Sequence, residues 1–280
     1  MRTVFIVLIL VLSGSPAVPE SRYGKIPAGV SVIQVIDENG SSSRNVPVDI
    51  YRPEKTKTCK KQVLVLPGWD FPRDDWRNKT DIIRQAELSD FCLVFPEMGR
   101  AIYAGRYYSE TARKVFNMPS LAWITKRLLP ELQDKYGIFR KGQKNYIMGL
   151  STGGRGVALI SLASPGLFRA GAAFSGDYNQ AGMPKDRLMT AVYGSFENFP
   201  ERWKEDNPYH MADKWEMPLY LGHGKKDRVV PFSQTMEFYE KITRLHPGLD
   251  VVLNAPPAAG HDYKYWQSEI APAFAFFNKN

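Results

Sequence analysis

The 280-residue sequence predicts an α/β fold: a mostly parallel central sheet, an antiparallel hairpin at its N-terminal edge, and helices on both faces. Three observations carry that expectation. Short apolar runs without alternation recur along the chain and stop at Gly, Pro or a loop, as strands buried on both faces require. Stretches of helical period separate them. Two alternating runs stand together near the N-terminus, as the strands of an edge hairpin do.

Taken in order, the elements begin after a leader. A basic start at Arg2, an apolar run over 4–12 and the small residues Ser15, Pro16 and Ala17 read as a signal peptide over 1–17. That leaves 18–280 as a single domain of an exported protein, periplasmic or secreted, with no stable membrane insertion once the leader is cut. Residues 31–37 and 46–51 alternate as hairpin strands, with a loop over 39–43. Buried strands follow at 63–66, 92–95, 146–148, 171–174, 219–221 and 251–253. Helices are expected over 81–87, over 121–136 with Gly137 closing it, over 154–162, over 233–245 after Pro231, and over 263–277 with a break point at Pro272. Between about 176 and 215 the strand signal disappears. Pro184, Gly194, Pro200 and Pro208 interrupt aromatic residues there, which reads either as an inserted, partly helical excursion or as a plain long connection.

Composition narrows the chemistry. Lys and Arg number 37 against 29 acidic residues, a formal charge of +8. The basic residues look scattered, apart from short clusters such as Lys55 and Lys57 with Lys60 and Lys61. There is neither a basic stripe nor a recognisable module for nucleic acid, so that partner class is set aside. The two cysteines, Cys59 and Cys92, lie in no C-x-x-C motif, which argues against a zinc cage or dithiol redox chemistry. Each precedes a predicted strand, and a disulfide and two separate thiols are both open.

The sharpest signal is Gly149-Leu150-Ser151-Thr152-Gly153, set between a predicted strand and a predicted helix. This is a nucleophile elbow: the serine takes a strained turn so that its hydroxyl stands above the sheet, and its neighbours must be small. A serine needs a base, and the base needs a carboxylate to orient it. Of the four histidines, His261 sits on a loop after the strand at 251–253, where a base belongs. His246 ends a helix and reads as a cap, and His210 lies in the excursion. His223 is either a satisfied structural histidine or a neighbour of the pocket. Asp227 is the first carboxylate after the strand at 219–221, and its plainer reading is a turn or cap aspartate. The oxyanion donors would be the backbone N–H groups of Thr152 and of Trp69, with a core side chain as the alternative for Trp69, and Asp70 would orient that loop. In the loop after the strand at 92–95, Tyr107 and Tyr108 either stack on a sugar or aromatic acyl group or pack under the excursion. Arg100 and Arg106 either meet an anionic group or stay solvated.

The stretches "VLVLPGWD", "ITKRLLPELQDKYGI", "YIMGLSTGGRGVALISLASPGLFRAGAAFSGDY", "LGHGKKDRVVP" and "AAGHDYKYWQSEI" together resemble the esterase D-like branch of the α/β-hydrolases. That branch includes feruloyl and acetylxylan esterases, S-formylglutathione hydrolase and mycolyltransferases. The resemblance covers about 46–277. It implies an α/β-hydrolase fold, a triad of Ser151, Asp227 and His261, oxyanion donors at Trp69 and Thr152, and no metal or organic cofactor. Two departures weaken a subfamily assignment: Pro67-Gly68 stands where many relatives have His-Gly, and Thr152 where many have Met. The expected activity is hydrolysis of a carboxylic ester by an exported serine esterase, on a small-molecule or carbohydrate-linked substrate. An acyltransferase of the same fold and a catalytically silent secreted binding protein are the alternatives. Nothing marks a peptide groove.

Overall fold

The computed structural model describes residues 23–39, 42–112 and 119–280; the expected signal peptide at 1–17 lies outside the described residues. Among them, eight strands form one sheet. They are β1 (Gly29–Asn39), β2 (Ser42–Arg52), β3 (Lys61–Leu66), β4 (Phe91–Pro96), β5 (Lys144–Leu150), β6 (Ala170–Phe174), β7 (Leu219–Gly222) and β8 (Val251–Asn254), in the order β1-β2-β4-β3-β5-β6-β7-β8. β2 pairs antiparallel with β1 and with β4, and every other pair is parallel. The expected mostly parallel sheet with an antiparallel hairpin is therefore what the chain builds. The hairpin is longer than its alternating runs. Pairing continues to Asn39 opposite Ser42, so Ser42 and Ser43 are strand rather than loop. Beside them, Arg44 meets the buried carboxylate of Asp37 at 3.1 Å, an attraction across the strands that polarity alone did not reveal.

Helices cover both faces because the strands bury both. On one face, α3 (Ser120–Trp123) passes through a π-turn (Ile124–Leu128) into α4 (Leu129–Tyr136), and these pack with α5 (Thr152–Ala163) and α7 (Ser233–Leu245). The π-turn ends just before Pro130, whose ring has no N–H and crowds the preceding turn. On the other face lie α1 (Asp75–Lys79), α2 (Ile82–Ser89) and α8 (Tyr263–Lys279). α8 runs unbroken through Pro272. It buries Trp266, Ile270, Phe274 and Phe277 in one apolar stripe, while Pro272 and Ser268, whose carbonyl loses its partner, face water. α1 escaped the sequence reading because it is barely more than one turn.

The 176–215 region is partly helical, with α6 (Arg187–Tyr193) and three short 3₁₀ turns. It is tied to the sheet by Arg155 of α5, whose side chain is fully buried. The guanidinium donates to Ile102 O, Asp177 Oδ2, Gln180 Oε1, Tyr193 OH and Asp206 O. A buried charge tolerates desolvation only with partners of this number. Cys59 and Cys92 are joined by a disulfide, with Cα atoms 5.6 Å apart, which settles the open alternative. No helix of the described residues is long and apolar enough to cross a membrane.

Candidate active site

β5 delivers Ser151 to the carboxyl end of the sheet, and α5 begins at the next residue. Ser151 has φ 53° and ψ −126°. A side chain in that region costs about 1–3 kcal/mol, so the turn must be held by its surroundings. Three backbone bonds hold it: Ser151 N–H to Phe174 O at 2.8 Å, and the N–H groups of Gly154 and Arg155 to Ser151 O at 2.9 and 3.3 Å. Strand and helix meet so closely that a Cβ on Gly149 would lie 2.3 Å from Gly153 O. That contact is the physical content of the small-residue pattern.

His261 stands on the loop between β8 and α8. Its Nε2 lies 3.0 Å from Ser151 Oγ and its Nδ1 lies 2.6 Å from Asp227 Oδ2. A carboxylate only accepts, so Nδ1 carries the proton and the Nε2 lone pair faces the serine. The structure thus joins three residues from three separate loops in one hydrogen-bonded line. The Asp227 side chain is fully buried, and its Oδ1 accepts from the Val229 and Val230 amides at 2.8 and 2.9 Å. Burial pushes the Asp227 carboxyl up. Hydrogen bonds from His223 and His261, the His261 charge and the Val230 amide outweigh it and hold the carboxyl well below its ordinary range.

His223 is fully buried and sits behind this line. Its Nε2 is 3.0 Å from Val230 O and 3.2 Å from Asp227 Oδ2, and its Nδ1 is 2.6 Å from Thr235 Oγ1. Two acceptors at Nε2 assign the proton there, with Thr235 donating to Nδ1. His223 therefore gives the same carboxylate oxygen a second donor. Trp266 is the other residue the sequence reading passed over. Its indole meets the His261 ring edge-on, with centroids 5.0 Å apart, and its Nε1–H reaches Ser175 Oγ at 3.2 Å. Its place one helical turn into α8, five residues after His261, is the signal that was available.

The loop after β3 comes close to the serine: a Cβ on Gly68 would lie 3.2 Å from Ser151 Cβ. The strand exit is fixed by Trp76 Nε1–H to Leu66 O at 3.1 Å and Tyr103 O–H to Pro67 O at 2.9 Å. Asp70 holds the next turn, its amide bonded to Gly99 O at 2.8 Å and its carboxylate to Arg100 Nε–H at 2.9 Å. Among the described residues the Trp69 N–H donates to no protein acceptor. Thr152 is the first residue of α5, so its N–H has no partner inside the helix.

Arg106 and Tyr108 are held in a surface network. Arg106 donates to both oxygens of Glu205 at 2.8 and 2.6 Å, and Tyr108 O–H reaches Glu205 at 2.5 Å. The Arg202 guanidinium lies over the Tyr108 ring. These contacts tie the loop after β4 to the 176–215 region. Tyr107 packs against the apolar cluster that includes Ile102, Val192 and Trp203, and burial pushes its phenol up to about 12. His246 caps α7 with its backbone N–H on Ile242 O, and its ring reaches Ala212 O at 2.9 Å.

Comparison with known proteins agrees with this architecture. The sequence pattern of the prolyl oligopeptidase family matches residues 131–280. Fluorophosphonate-binding serine hydrolase F of Staphylococcus aureus superposes with a TM-score of 0.69 at 18% identity, over 89% of this chain and 99% of that one. An S-formylglutathione hydrolase of Agrobacterium tumefaciens gives 0.71 at 16% identity, over 89% and 94%. At such identity the likeness speaks for the α/β-hydrolase fold. A poly(3-hydroxyoctanoate) depolymerase of Pseudomonas fluorescens is 27% identical over 136 residues, 49% of this chain and 40% of that protein. The chain therefore matches less than half the length of that curated relative.

Proposed function

The chain belongs to the prolyl oligopeptidase family, and from that premise we propose that it is a serine hydrolase cleaving carboxylic esters through an acyl-enzyme. The observation that carries the proposal is the line Asp227–His261–Ser151, with the imidazole Nε2 3.0 Å from the hydroxyl and Nδ1 2.6 Å from the carboxylate. His261 takes the Ser151 proton as Oγ attacks the ester carbonyl. Asp227, kept ionised by its donors, holds the imidazole tautomer and stabilises its cationic form. The N–H groups of Trp69 and Thr152 receive the oxyanion. His261 returns the proton to the departing alcohol, and water then repeats the cycle on the acyl-serine, releasing a carboxylic acid.

Trp266 packs edge-on against the imidazole and fixes its plane. A carboxylic ester is the substrate class that the polyester depolymerase relative supports. The finer reading, an exported enzyme acting on acyl esters of carbohydrates, rests on the apolar N-terminal run and on the family resemblance. The roles of Tyr107, Tyr108 and Arg106 belong to it. With Arg106 and Tyr108 committed to Glu205, they would shape the site's border through the 176–215 region. A second reading is peptide-bond cleavage by the same acyl-enzyme, favoured by the family that the C-terminal half matches.

The test is a panel of acetyl, feruloyl and longer-chain esters, a 3-hydroxyalkanoate oligomer and a peptide amide, ranked by kcat/KM, with labelling by a fluorophosphonate probe. The proposal expects the label on Ser151 and esters ahead of amides. Labelling elsewhere, or amides ahead of esters, would overturn it.

A further inference from the structure

Folding gathers basic charge at the pole opposite Ser151. A groove of about 1070 Å³ is lined there by stretches of 23–27, 52–60 and 136–143. It lies at the amino ends of β3 and β5, which begin at Lys61 and Lys144. At a strand rise of about 3.3 Å per residue, β5 alone puts roughly 20 Å between it and Ser151. These three stretches hold seven Lys and Arg and one carboxylate, Glu54, leaving 30 basic and 28 acidic residues for the rest of the chain. Most of the +8 charge is therefore concentrated here: folding brings Lys25, Arg140 and Lys141 to the cluster already visible in the sequence at Lys55, Lys57 and Lys60.

The lining is two-sided in character. Lys25, Arg52, Lys57, Lys60 and Arg140 line the groove, and no carboxylate does. Lys25, Lys57 and Lys60 are exposed and pair with no carboxylate among the described residues. Between these cations lie Ile26, Pro27, Ile138, the rings of Tyr23 and Tyr136, and Cys59 with its disulfide. The walls are preformed. Gly24 N–H bonds Lys135 O at 2.7 Å, Arg52 Nε–H bonds Ile26 O at 2.7 Å, and Arg52 also donates to Thr56 O. Arg140 lies over the Tyr23 ring at 5.6 Å.

We infer that this groove is a binding site for an anionic amphiphile, an acidic head group on an alkyl chain. A bare anion would engage the cations and leave the apolar lining wet. A neutral chain would cover the apolar residues and leave unpaired cations beside a low-dielectric surface. A molecule with both parts satisfies both. The inference is independent of the chemistry proposed at Ser151.

Equilibrium dialysis of the full chain tests it with three probes: dodecyl phosphate below its micelle concentration, inorganic phosphate, and dodecyl maltoside. Dodecyl phosphate is expected to bind saturably, one per chain, at least about tenfold tighter than either control and more weakly as salt rises. The triple change Lys25→Glu, Lys57→Glu, Lys60→Glu is expected to weaken it about tenfold or more, and Arg140→Gln to a smaller extent. Ser151→Ala is expected to leave it unchanged. Absence of saturable binding overturns the inference, as does phosphate or maltoside binding as tightly, or affinity indifferent to both the triple change and Arg140→Gln. Should the triple variant not fold, as read by its thermal melt, Arg140→Gln alone decides.

Discussion

The two ends of the same parallel strands solve opposite electrostatic problems. At the carboxyl ends, one buried carboxylate is surrounded by donors: two histidines and two amides converge on Asp227. At the amino ends, several cations line one groove with no carboxylate among them. The first region is locally complete, and its charge is spent on an internal partner. The second is open, and its charge is available to something outside the chain. The difference teaches that pairing within the fold, more than charge itself, separates the proposed reaction centre from the proposed binding surface.

Substitutions of graded effect can break or sharpen that contrast. The largest effect belongs to Ser151→Ala, expected to lower ester turnover by about a millionfold if the three residues act as one unit. Full activity in a clean preparation would remove the carboxyl-end site from the comparison altogether.

His223→Phe comes next, with a loss in kcat/KM on the order of tenfold. Taking one donor from Asp227 Oδ2 leaves its charge freer to stabilise the His261 cation. The acidic limb of the pH profile should therefore move to higher pH, and His223→Gln should move it less. An unmoved limb would reduce His223 to packing.

The buried Asp177 beside Arg155 offers a measurement of stability rather than rate. Burial pushes its carboxyl up to about 6, against the pull of Arg155. A raised folded value means that the folded state holds the proton more tightly. Its stabilising contribution is complete below the unfolded value of 3.8 and is lost as pH rises through about 6. Melting curves between pH 4 and 7 should show wild type losing a few degrees relative to Asp177→Asn across that window. Parallel curves would mean that Arg155 keeps Asp177 ionised throughout.

The smallest effect is expected at the other pole. Lys25→Glu, Lys57→Glu and Lys60→Glu together should change ester turnover by less than about twofold, because exposed charges some 20 Å away are largely screened. A larger change would show that the two ends communicate.

Much of the carboxyl-end site was legible in the sequence. Gly149 and Gly153 announced the close approach of strand and helix, and the order Ser151, Asp227, His261 followed the loops that end β5, β7 and β8. The second donor to Asp227 was not legible. His223 lies four residues before it in the same loop, yet only the fold of that loop turns the Nε2 toward the carboxylate. For Arg106 and Tyr108 the sequence left a ligand contact open beside solvation or packing, and Glu205, about a hundred residues on, occupies both. The hairpin ran past its polar turn because backbone pairing needs no apolar side chain.

By itself the sequence determined the alternation of strand and helix, the elbow and the places of its partners, since each is written in periodicity, in small residues and in turn chemistry within a short window. Tertiary structure alone decided the Cys59–Cys92 bridge, the turn that sets His223 behind Asp227, and the meeting of Lys25 and Arg140 with Lys57 and Lys60 around one groove. The first and last depend on distances between residues far apart in the chain, and the second on how one short loop folds. Coulomb and hydrogen-bond energies follow separation in space, and separation along the chain does not record it.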